Sequence, residues 1–128
     1  MSTTRATRTT ATEGDWTLTF EDGVVTVELP ATLELDAETG AAINEAFVST
    51  LEREDVDGIL TLLRVENPIG SGVFEAVQHA GDVAVDEGVS RWAVVVEERV
   101  KGMAFQSKLD GVETRIFEDE SAAREFLD

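Results

Sequence analysis

Two stretches constrain this chain most, Ile59-Leu-Thr-Leu-Leu63 and Arg91-Trp-Ala-Val-Val-Val96. A strand with one wet face alternates apolar and polar residues. These runs barely alternate, and such runs are predicted to be central strands covered on both faces, the usual situation in parallel sheets. A chain holding two of them needs helical crossovers, and the intervening sequence supplies helical patterns.

Trp16-Thr-Leu-Thr-Phe20 alternates as a half-buried strand does. Asp22-Gly23 then marks a tight hairpin turn, and Val24 to Leu29 is the return strand, closed by Pro30. A short extended piece, Thr32 to Leu35, leads to Asp36, which is predicted to cap a helix running to about Arg53. Ile43, Ala46, Phe47 and Leu51 form its apolar stripe. After a loop over 64–72, the residues Val73, Phe74, Val77, Ala80, Gly81 and Ala84 trace a second helical face ending near Gly88. Residues 101–109 are predicted to be a short helix with Met103 and Leu109 inward. Val112 to Phe117 reads as a strand, and Asp119 as the cap of a last helix with Ala122/Phe126 and Ala123/Leu127 pairs. The predicted order is β-β-α-β-α-β-(α)-β-α: a single α/β domain with a mixed sheet, an N-terminal hairpin and βα units giving a parallel portion. Residues 1–14, rich in Ser, Thr and Arg, are predicted to be a mobile tail ahead of a domain over 15–128.

Charge narrows the partners. The 128 residues carry 27 Asp and Glu against 10 Lys and Arg, a net charge of −17, with only two lysines. The acids are dispersed along the chain. Their mutual repulsion opposes compaction in dilute buffer and is screened in molar salt, where the Debye length falls to ~3 Å. Adaptation to a salt-rich cytoplasm accounts for this pattern; the competing reading is a docking surface for a basic partner. No basic patch marks a nucleic-acid site. No apolar run reaches the ~20 residues of a membrane span, and the N-terminus lacks the apolar core of a signal peptide, so a cytoplasmic location is expected.

Catalytic and metal signals are sparse. Zero cysteines exclude disulfides, thiol nucleophiles and thiolate metal sites, and the single histidine, His79, cannot form a multi-histidine site. His79 reads as a helix boundary residue. Glu97-Glu98 could hold a hard cation, yet among 27 acids such pairs arise by coincidence. No metal and no cofactor is expected. The most distinctive local feature is Gly70-Ser71-Gly72 at a loop-to-helix junction. Unsatisfied N–H groups at a helix start attract anions, so Asn67, Gly70, Ser71 and Gly72 form a candidate anion- or partner-binding loop. The plain alternative makes Ser71 an N-cap with glycines easing the turn. Walker A would need Gly-Lys-[Ser/Thr], which is absent.

The element order, with Ser71-Gly72 opening the helix after the first buried strand, resembles the STAS domain (sulfate transporter and anti-sigma-factor antagonist). Arg91-Trp-Ala-Val-Val-Val96 followed by a short helix is similar to that superfamily, as is the closing Ile116-Phe117-Glu-Asp-Glu-Ser-Ala122-Ala-Arg-Glu-Phe126-Leu127. The resemblance implies a non-enzymatic, regulatory protein-interaction module. In the antagonist branch a serine at this junction is phosphorylated by a partner kinase, and Ser71 is the matching position. That branch carries Asp-Ser-Ser/Thr-Gly where this chain has Ile69-Gly70-Ser71-Gly72. A related fold branch, the CRAL-TRIO-like domains, implies a lipid-like apolar ligand instead. A small-molecule site at the carboxyl ends of the parallel strands, rimmed by Arg64, Arg99 and Lys101, would take an acidic ligand.

Overall fold

The computed structural model describes residues 16–31, 33, 36–65, 71–107, 109 and 111–127, with the side chains of residues 71, 101 and 105 outside that description. Residues 1–14 lie outside it, as do Thr32, Glu34 and Leu35. Among the described residues the elements are β1 (Thr17–Glu21), β2 (Val24–Leu29), α1 (Ala37–Arg53), β3 (Gly58–Leu63), α2 (Ser71–Asp86), β4 (Arg91–Val96), α3 (Arg99–Gln106), β5 (Glu113–Phe117) and α4 (Glu120–Leu127). They form one mixed α/β domain.

The strands lie in sequence order, β1-β2-β3-β4-β5. β1 and β2 are antiparallel, joined by the Asp22-Gly23 turn in which both residues have positive φ, 53° and 82°. Such a turn matches the right-handed twist of its strands, which explains the Asp-Gly signal. Every later pairing is parallel. Each crossover advances one strand in the same direction, so right-handed connections stack α1, α2 and α3 on one face. The other face is left to α4, which packs on β3, β4 and β5.

This asymmetry explains the strand patterns. β3 is buried at all six positions because helices cover both of its sides. β1 and β2 alternate because α4 does not reach their second face, where Thr17, Thr19 and Thr26 are half-buried and Glu28 is exposed. The larger core joins Trp16, Leu18, Val25, Val27, Ile59, Trp92 and Val94 to Phe47 and Leu51 of α1 and Val73, Val77 and Ala84 of α2. The smaller core holds Leu60, Leu62, Ala93 and Val95 beneath Ala123 and Phe126 of α4. Arg91 donates to the Phe126 carbonyl at 2.7 Å, and both Arg91 and Arg115 stack over the Phe126 ring. Those cations hold the C-terminal turn of α4 where a helix end favours positive charge.

Helix α3 departs from the sequence expectation. It spans Arg99–Gln106, and Met103 is 59% exposed although it was expected inward. Gly102 takes the inward position. A β-carbon there would lie 3.0 Å from Ile116 Cγ2 and 3.1 Å from Val96 Cγ1, so the helix sits closer to the sheet than any side chain allows. With Gly102 inward, the ~100° step per residue turns Met103 to solvent. Leu109 is buried, as expected, but beyond the helix end.

Candidate functional site

α1, α2 and α3 all begin at the carboxyl edge of the parallel strands. Asp36 caps α1, its Oδ1 accepting from the Thr39 N–H at 2.9 Å. That bond holds the Asp36 carboxyl below its ordinary range. α2 starts at Ser71, the expected junction. Gly72 lies against α1: a β-carbon on it would stand 2.8 Å from Cβ of Ala37. Likewise a β-carbon on Gly40 would meet Val73 Cγ2 at 3.3 Å. Two glycines thus bring the starts of α1 and α2 into near-backbone contact, which fixes the α2 N-terminus beside that of α1.

Beyond that contact the interface loosens. Ala76 and Ala80 of α2 are too short to fill the space facing α1, and a cavity of about 60 Å³ remains. Val27, Leu29, Ile43, Phe47, Val73 and Val77 make most of its wall. Three polar-bearing side chains join them. The Trp92 indole donates to Thr61 Oγ1 at 2.9 Å within the core. Asn44 lies 3.0 Å, Nδ2 to Nδ1, from His79 of α2, while its Oδ1 is buried without a hydrogen-bond partner.

The residues singled out in the sequence are placed as follows. Gly72 packs between helices. Asn67 and Gly70 lie outside the described residues, as do the side chains of Ser71 and Lys101. Arg64 turns to the α4 face, pairing with Glu28 at 3.7 Å and Glu120 at 3.5 Å. Arg99 pairs with Glu118 at 3.6 Å. Neither arginine is among the residues that line the cavity between α1 and α2. The strands also run in sequence order with no reversal, so the sheet lacks the switch-point crevice where open α/β sheets bind ligands. His79 is exposed, a boundary residue that bridges α2 to α1. Among the described residues no cluster of His, Asp and Glu could hold a metal ion, and no helix is long and apolar enough to cross a membrane.

Sequence reasoning passed over Asn44 and the exposed face of α3. Asn44 interrupts the apolar stripe of α1, one residue after Ile43 and three before Phe47, and that interruption was the available signal. On α3, Val100 is 78% exposed and, three residues on, Met103 is 59% exposed, with exposed Ala104 beside it. Every described Asp and Glu is exposed or half-buried; none is buried.

No protein-family model matches the chain, and no curated protein matches it. Among solved structures, the NMR structure of the protein TM1081 is similar, with a TM-score of 0.65 at 17% identity, covering 99% of this chain and 98% of that one. At that identity the likeness is one of fold.

Proposed function

We propose that this domain is a non-enzymatic, STAS-like protein-interaction module of a salt-rich cytoplasm. Its docking surface lies at the carboxyl edge of the sheet, combining the start of α2 with the outer face of α3. The observation that carries this reading is the pair Val100 and Met103, large apolar side chains standing in solvent on one helix face of a chain with net charge −17. A contiguous exposed apolar patch rimmed by polar residues is a mark of an interaction surface. The partner is a protein that offers an apolar patch; the sequence supplies no basic patch for a nucleic acid. Surface placement of the acids supports the salt adaptation. Ser71, at the first residue of α2, supports a switch: phosphate there would be favoured by the helix start yet add two charges beside the docking face.

Affinity capture in molar KCl with the full chain tests this. A partner held by the native chain is expected to be lost with Val100→Glu or Met103→Glu, at unchanged melting temperature. Loss with Ser71→Glu as well supports the switch. A partner retained equally by all three variants would overturn the docking surface.

A further inference from the structure

The cavity beneath α1 and α2 is walled almost wholly by carbon, yet Asn44 contributes to its lining and keeps an amide atom buried without a partner. The Asn44 Nδ2 is used, lying 3.0 Å from His79 Nδ1, but the Oδ1 is left over, and a buried polar atom left unpaired is destabilising. The other polar groups of the wall are engaged with each other, Trp92 donating to Thr61. We propose that the cavity is a binding site for a small neutral molecule carrying a hydroxyl group on a short hydrocarbon chain, the hydroxyl completing the hydrogen bonding of Asn44.

The wall decides the chemistry. No Lys, Arg, Asp or Glu lines the cavity, so an ionised ligand would be desolvated without a counter-charge. A hydroxyl both donates and accepts, so it satisfies the Asn44 amide in either of its two orientations. The space decides the size. A cavity of ~150 Å³ in an engineered protein stays dry and takes benzene, so about 60 Å³, two-fifths of that, admits a chain of roughly two carbons besides the hydroxyl. Ala76 and Ala80 keep it open, and a leucine at either place would fill it. This inference is independent of the docking surface on α3: the cavity and that surface share no residue.

Titration of the full chain in molar KCl with ethanol, acetate and ethylamine, followed through the methyl NMR signals of Val27, Ile43, Val73 and Val77, tests it. Saturable shifts are expected with ethanol and none with the two ions. Ala76→Leu should abolish the shifts; should that variant not fold, Ala80→Leu serves. Asn44→Val, which is close to asparagine in volume, should weaken ethanol about tenfold, the worth of one hydrogen bond, while xenon still enters the cavity. Shifts that never saturate, equal binding of either ion, or undiminished ethanol binding by the filled variant would overturn the proposal.

Discussion

Gly102 and Ile116 determine how α3 lies on the sheet: a β-carbon at Gly102 would stand 3.0 Å from Ile116 Cγ2. Alanine normally stabilises a helix interior over glycine by roughly 1 kcal/mol. Here the overlap reverses the sign, and Gly102→Ala is expected to cost about 1–3 kcal/mol, the usual penalty of overpacking. A double-mutant cycle with Ile116→Ala, measured by urea melts, should show the two losses to be less than additive. A stabilising Gly102→Ala would mean that α3 is not seated against Ile116.

Thr61 accepts the Trp92 indole hydrogen in the middle of the larger core. Thr61→Val keeps the shape and removes the acceptor, leaving Trp92 Nε1 without this hydroxyl. An expected loss of about 1–3 kcal/mol follows from unmaking a buried hydrogen bond. Urea melts give the magnitude, and a shifted Trp fluorescence maximum would locate the change.

Arg64 ties β2 to α4 through Glu28 and Glu120, and Arg124 joins the same network at 2.8 Å from Glu120. All of these groups are more than a third exposed, so solvent and salt screen them. Arg64→Met should therefore cost under about 1 kcal/mol in dilute buffer and close to nothing in molar KCl. The native chain should move the opposite way with salt, its melting temperature rising from dilute buffer to molar KCl as repulsion among surface carboxylates is screened. Equal melting in both conditions would remove the salt adaptation.

Asp36 caps α1 with a carboxyl held below its ordinary pKa of 3.8 by the Thr39 N–H. A depressed folded-state pKa contributes stability that is complete above the unfolded value and is lost as pH falls through the folded one. Asp36→Ala should therefore lower the melting temperature at neutral pH, and its gap from the native chain should narrow below pH 3.8. A gap constant across that range would mean that the carboxylate charge plays no part in the cap.

Much of this architecture was legible along the chain because it rests on local rules. The Asp22-Gly23 turn, the Asp36 and Asp119 caps, Gly88 with its φ of 84° after α2, and the helical stripe of α1 all follow from backbone stereochemistry and periodicity. The two unalternating runs correctly named the strands with both faces covered. Met103 was misplaced because its orientation depends on a contact between Gly102 and a strand that follows it in sequence. The placement of Arg64 has a similar cause. Which side of the sheet it faces depends on its register after Leu63, and its carboxylate partners come from β2 and α4.

By itself the sequence determined the elements, their order, the tight turn and the acidic shell, since each depends on neighbours within a few residues. Only the tertiary structure decided that three helices share one face while α4 alone covers the other, a consequence of crossovers that all advance the same way. It alone decided, too, that two glycines press the starts of α1 and α2 together while two alanines further along leave a cavity beside Asn44. Such voids are differences between volumes contributed by distant segments, and no pattern within one segment records them.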